Sequence, residues 1–202
     1  VQPKKTVQRN KDHSRIADAA LLDEFRFLWG DAEDLWDAFE DTAPFSTYVS
    51  GDFLAIYHAL LELRDASNSF LEWGSGLGVA TIMASRMGLQ AFGIESESGL
   101  VEHANRLATN YQSTAAFAVG SFIPDDFFQS NLAARRFSRT ATHLTDGYTK
   151  IGKRLSDFDI VYAYPWPDES ELFTEVMRRY GSPSASFLNY DECEGLRTTT
   201  FS

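Results

Sequence analysis

The residues best placed to do chemistry lie in two short stretches of this 202-residue chain. The first is Glu72-x-Gly74-x-Gly76-x-Gly78, with Ser75 inside the turn and Glu95 following roughly 20 residues past the first glycine. Glycines without a Cβ accept positive φ and let the backbone come close to a ligand, and the N–H groups that open the next helix are unpaired donors. Such a turn suits a nucleotide-like ligand, and a carboxylate ending the next strand can accept ribose hydroxyls. The second stretch is Tyr162-Ala163-Tyr164-Pro165-Trp166-Pro167-Asp168-Glu169. Its prolines fix φ and withhold N–H donors, so Tyr164 and Trp166 are presented in a set direction. They read either as an aromatic wall for a planar or cationic substrate or as a packed strand-to-helix turn. Tyr162, Tyr164, Asp168 and Glu169 are the nearest candidates for a base.

These residues need elements to hold them, and the apolar periodicity supplies a βαβ alternation. Phe70-Leu71 ends a strand, 79–87 is a helix, and 91–94 is a strand ending at Glu95. A helix over 96–111, opened by a hydroxyl cap at Ser96 to Ser98, leads to a strand at 115–119. Gly120-Ser121-Phe122 then sits at that strand's C-terminal edge, where open α/β sheets bind ligands. Asp125 and Asp126 are read as caps of a short helix holding Phe127, Phe128 and Leu132. Further strands are expected at 158–162, 185–190 and 196–201, with a helix over 170–180. Ahead of this core, residues 1–14 read as a mobile tail, and 15–50 as a helical extension broken at Gly30. A helix over 52–64 follows, capped by Ser50 or Asp52. The expected fold is α/β, a doubly wound and mainly parallel Rossmann-like sheet over 51–202 with an N-terminal helical extension over the cofactor edge.

In the dinucleotide fingerprint, Val79 would occupy the position of the third Gly or Ala, which disfavours a nicotinamide oxidoreductase. The pattern Glu72-x-Gly74-x-Gly76-x-Gly78 instead resembles the first motif of class I S-adenosylmethionine-dependent methyltransferases. The resemblance covers about residues 50–190 and implies S-adenosylmethionine as cofactor. By that resemblance, Gly74, Ser75, Gly76 and Gly78 meet the cofactor's amino-acid end, and Glu95, beside Ser96, holds its ribose. Glu72 orients the loop or meets the ammonium through water, while Ser121 bonds the adenine's edge and Phe122 covers its face. Replacing Glu95 is therefore expected to weaken cofactor binding with little effect on folding. The segment 46–63 resembles the helix such enzymes place across the cofactor cleft, with Tyr48, Phe53 and Tyr57 as pocket walls or as core. Tyr164 stands where amino-methyltransferases carry an Asp or Asn, and Trp166-Pro167 replaces their Pro-aromatic pair, so an exocyclic-amine acceptor is disfavoured. Tyr164, Pro165 and Trp166 are the candidate acceptor contacts, with Tyr164 and Tyr162 the candidate catalytic groups.

Charge narrows the acceptor. The 29 acidic residues against 18 basic give −11, which opposes non-specific attraction to nucleic acid and favours a small-molecule or peptide-like acceptor. The exception is 131–155, where Arg135, Arg136, Arg139, Lys150, Lys153 and Arg154 form a local basic segment. That segment keeps an RNA methyltransferase open as an alternative, and a catalytically inactive cofactor-binding interaction protein is another. His58 has no second ligand at a helical offset and His143 no evident partner, so no metal site is expected. The single cysteine, Cys193, fits a reducing compartment, no apolar run approaches membrane-spanning length, and a cytoplasmic location is expected. The first residue is Val1, so an upstream segment could have been removed.

Overall fold

The computed structural model describes residues 4–42, 45, 50–127, 144–166, 169–191 and 195–201, with side chains from residue 18 onward. In chain order it contains α1 (Lys4–Phe39), α2 (Phe53–Leu63), β1 (Ser69–Trp73), α3 (Val79–Arg86), β2 (Gln90–Glu95), α4 (Ser98–Asn110) and β3 (Ala116–Val119). Then come α5 (Tyr148–Ile151), within the basic segment, β4 (Ile160–Ala163), α6 (Ser170–Tyr180), β5 (Ser186–Asp191) and β6 (Gly195–Thr200). The six strands form one sheet in the order β3-β2-β1-β4-β5-β6, parallel throughout except for the β5–β6 hairpin. β1 is buried along its whole length because it is central and covered on both faces, as parallel strands require. Its register sets Glu72 opposite Gly93 on one side and Tyr162 on the other.

Alternation along the strands divides the core in two. Phe70, Ile160, Tyr162 and Leu188 pack toward α2 and α3, whereas Leu71, Trp73, Val161 and Phe187 pack toward α5 and α6. Across the sheet's N-terminal edge, Asp159 Oδ2 accepts from Asn68 N (2.7 Å), Ser69 N (3.1 Å) and Ser69 Oγ (3.0 Å). This one carboxylate ties the start of β1 to the start of β4.

The N-terminal extension lacks the expected break at Gly30. It is one helix from Lys4 to Phe39 that passes through Gly30. A mid-helix glycine costs about 1 kcal/mol relative to alanine. Packing on both sides of it outweighs that cost, since Phe25, Leu28 and Ala32 are buried at helical spacing against the α2–α3 layer. Full burial of a Phe or Leu stabilises by about 1.5–3 kcal/mol. Polar ties fix the helix's direction: Arg86 makes a two-pronged pair with Glu24 (2.7 and 3.0 Å), and Arg64 meets Asp18 at 2.6 Å. The helix thus lies along the layer beside the sheet, and its far end reaches α4, where Phe39 and Phe45 flank His103.

Candidate active site

The turn between β1 and α3 adopts the conformation its glycines allow. Gly74, Gly76 and Gly78 all have positive φ, at 63°, 51° and 72°. Gly78 is the left-handed residue that opens α3, and a Cβ there would lie 2.4 Å from the Phe117 ring. The turn is also sewn to β2, through Ser75 N to Ile94 O (3.1 Å) and Gly76 N to Glu95 Oε2 (2.8 Å). Gly93 makes that approach possible. A Cβ on this strand residue would sit 2.7 Å from Ser75 and 2.6 Å from Phe117. A glycine inside a strand pattern signals such a close approach, although the sequence reading assigned Gly93 no role.

Glu95 lies where the spacing put it, at the C-terminal end of β2, and is buried. Its carboxylate is engaged by three donors of the fold itself. Oε2 takes the Gly76 N–H, while Oε1 accepts from Ser96 Oγ and Glu97 N, both at 3.0 Å. The expected hydroxyl cap of α4 is therefore replaced. Glu97 occupies the cap position without a side-chain cap bond, and Glu95 satisfies the backbone N–H there. Because the carboxylate ties the glycine turn to the next helix, its removal bears on folding, contrary to the expectation of little effect there.

Glu72 is the penultimate residue of β1 and is 6% exposed. Oε2 accepts from Thr81 N (3.0 Å) and Thr81 Oγ1 (2.5 Å), which locks the carboxyl to the first turn of α3. Burial, only partly offset by these bonds and reinforced by the nearby Glu95 charge, pushes its pKa up to about 8. Glu72, Trp73, Gly74, Ser75 and Val79 form one side of a cleft, closed on the other by Gly51, Phe53, Tyr162 and Tyr164. Ser75 Oγ is buried there without a hydrogen-bond partner. The enclosed space is about 30 Å³, room for about one or two waters.

Among the candidate pocket walls on the helix before β1, the structure separates two residues. Phe53 reaches the cleft and stacks on Trp29 (6.1 Å between centroids). Tyr57, one turn on, is core: it is buried edge-on to Phe25, and its hydroxyl donates to Asp18 O at 2.9 Å. Asp52 is the cap of α2, accepting from Ala55 N at 3.0 Å. Tyr48 lies outside the described residues.

Of the second stretch, Tyr162 is buried, and a Cβ on Gly51 would come within 2.9 Å of its hydroxyl. Tyr164 is half-buried and stacks face to face on Tyr190 of β5 (4.9 Å, 14°). Pro165 is buried and Trp166 half-buried, its carbonyl accepting from Glu169 N at 2.8 Å. Glu169 is itself buried at the start of α6, while Pro167 and Asp168 lie outside the described residues.

Ser96, Ser121 and Phe122 stand along the same strand-end rim but not in the lining of this cleft. Ser121 Oγ accepts from Ile123 N (3.1 Å), and its backbone exchanges bonds with Thr145 and Gly147. Phe122 stacks on Trp73 (4.8 Å, 16°), whose indole N–H donates to the Tyr148 hydroxyl at 3.0 Å. Asp125 accepts from Asp146 N (3.1 Å), and the helix it was expected to cap falls, beyond Phe127, outside the described residues. In the basic segment, Lys150 Nζ donates to Val119 O (2.5 Å), Lys153 lies over the Phe92 ring, and Arg154 pairs with Asp157. Arg135, Arg136, Arg139, His143, Phe128 and Leu132, like Cys193, lie outside the described residues. No helix among the described residues is long and apolar enough to cross a membrane.

No protein-family model matches the chain, and no curated protein sequence does. Solved structures share its fold. An RNA methyltransferase from Salinibacter ruber, in complex with S-adenosyl-L-homocysteine, superimposes with a TM-score of 0.51 at 20% identity over 71% of this chain and 78% of its own. A methyltransferase from Geobacter sulfurreducens does so with a TM-score of 0.51 at 16% identity over 80% of this chain and 71% of its own.

Proposed function

We propose that this protein is an S-adenosylmethionine-dependent methyltransferase, with 51–202 as its cofactor-binding α/β domain and 15–50 as a helical extension. The observation that carries the reading is the cleft at the C-terminal ends of β1 and β4. There the positive-φ glycine turn meets a buried acid, Glu72, and an unpartnered hydroxyl, Ser75. These groups suit the cofactor: a carboxyl favours an amino acid's ammonium over a pyrophosphate, and the orphaned Ser75 hydroxyl lacks the partner that a ligand's polar end would provide. Gly74 to Gly78 and Glu72 would hold the amino-acid end, and Glu95 with Ser96 the ribose. Ser121 and Phe122 would serve the adenine, for which Phe122 would have to leave its stack on Trp73. When bound, the cofactor supplies a methyl group already activated by its sulfonium.

This chain's own part is then alignment and exclusion of water, which can supply several kcal/mol of barrier reduction without strong acid–base groups. Tyr162 and Tyr164 border the cleft and are the groups proposed to meet the acceptor's reacting atom. Pro165 stiffens that wall, and Trp166 extends it. The stacked Tyr164–Tyr190 pair favours an acceptor with a flat face, and the −11 charge favours a small or peptide-like acceptor over a polyanion.

A thermal-shift comparison tests the cofactor. S-adenosylmethionine and S-adenosylhomocysteine should each raise the unfolding temperature, because a ligand at 100 times its Kd adds about 2.7 kcal/mol, and NAD should leave it unchanged. Stabilisation by NAD alone would overturn the reading. Methyl transfer to a panel of small phenols, amines and peptides separates an active enzyme from a cofactor-binding protein without turnover. Tyr164→Ala should lower turnover of any acceptor found while leaving S-adenosylhomocysteine affinity nearly unchanged.

A further inference from the structure

Glu72 lines the cleft, and among the described residues it has no cationic partner. Both hydrogen bonds it accepts fall on Oε2, while its carboxyl borders the cleft together with Gly74 and Ser75. The groups packed about it are all neutral or acidic. α3 contributes Thr81, β2 contributes Glu95, and β4 and the loop after it contribute Tyr162 and Tyr164. The start of α2 contributes Phe53, with the exposed Asp52 at its cap. Among the described residues, no Lys, Arg or His pairs with Glu72. A buried carboxyl whose nearest charge is another carboxylate keeps its proton, which is why its pKa rises to about 8. A cation arriving on the cleft side supplies the missing opposite charge and reverses the balance.

We propose that the cleft takes up the ammonium of its ligand's amino-acid end in exchange for a proton, Glu72 changing from carboxylic acid to carboxylate as it becomes the ammonium's partner. The O–H bond of Glu72 breaks, its electron pair stays on the carboxylate, and the proton passes to solvent. This inference rests on the S-adenosylmethionine reading and adds to it a pH-dependent discrimination. Ligands carrying the ammonium are bound more tightly as pH rises toward 8, whereas nucleosides without it are bound equally across that range.

Titration calorimetry at pH 7 in buffers of different ionisation enthalpy measures the exchange, with S-adenosylhomocysteine and 5′-methylthioadenosine as probes. The second keeps the nucleoside and sulfur but lacks the amino acid. S-adenosylhomocysteine should release nearly one proton per site, and its affinity should rise about tenfold per pH unit between pH 6 and 7. Methylthioadenosine should release almost none. Glu72→Gln should abolish the release and weaken S-adenosylhomocysteine about tenfold or more, while binding methylthioadenosine as wild type does, which shows that the variant's site is intact. S-adenosylhomocysteine binding without proton release, equal release by both probes, or release persisting in Glu72→Gln would overturn the inference and leave the cofactor reading standing. A wild-type protein that binds neither probe would overturn both.

Discussion

Glu95→Ala should damage the protein twice, and the two effects can be measured apart. The carboxylate accepts three hydrogen bonds, from Gly76 N at 2.8 Å and from Ser96 Oγ and Glu97 N at 3.0 Å each. A hydrogen bond to a charged group contributes about 1.5–3 kcal/mol, so the simple sum would be about 4.5–9 kcal/mol. Water entering the truncated site re-satisfies part of this, since the residue sits at the cleft rim and keeps 7% exposure. A net loss of about 3 kcal/mol is expected, which for a chain of this size lowers the unfolding midpoint by about 6–12 °C. If Glu95 also accepts ribose hydroxyls, S-adenosylhomocysteine affinity should fall by a further 1.5–3 kcal/mol or so, roughly 10- to 150-fold. Ser96→Ala is the control. It removes one of the three donors and should cost only about 1 kcal/mol. Scanning calorimetry and titration calorimetry on the same preparations read both quantities. An unfolding midpoint within about 2 °C of wild type would refute the structural tie. Unchanged affinity in a destabilised but folded variant would refute the ribose contact.

Without ligand, the wild-type protein should lose stability as pH rises from about 5 to 8. The native Glu72 keeps its proton up to about 8, whereas the unfolded carboxyl ionises near 4.5, so the native state binds more protons across that window. Thermal scans should show this slope in wild type and its loss in Glu72→Gln; parallel slopes would argue against the buried acid. Gly76→Val places a β-branched side chain at φ +51° and should abolish S-adenosylhomocysteine binding in calorimetry, while wild-type affinity in a folded variant would make this turn purely structural. Asp159→Ala removes the acceptor that joins the starts of β1 and β4 and should cost about 3 kcal/mol in denaturant unfolding. Because that tie is at the opposite end of the strands from the cleft, cofactor affinity of the folded variant should not change.

What was legible in the sequence was local. Positive φ at Gly74, Gly76 and Gly78 follows from what one residue type permits, so the turn could be placed before any contact was known. The strand and helix periods likewise specify which faces are buried, and α6 spans the expected 170–180. The position of Glu95 needed only the length of one βα unit.

Tertiary packing decided what those periods leave open. Phe53 and Tyr57 are four residues apart on one helix and share a face, yet Phe53 opens on the cleft while Tyr57 is buried against Phe25 and Asp18 of α1. Sequence spacing cannot separate them, because the difference is where a distant helix lies. Gly30 is the converse case. Its propensity predicted a break, and the buried row Phe25, Leu28 and Ala32 carried the helix through it. The sharing of the Glu95 carboxylate between the glycine turn and α4, and the burial of Glu72 without a cationic partner among the described residues, are relations among three or more segments. Only the folded chain brings those segments together, since burial and partner geometry, which set what a carboxylate can do, have no counterpart in the order of residues.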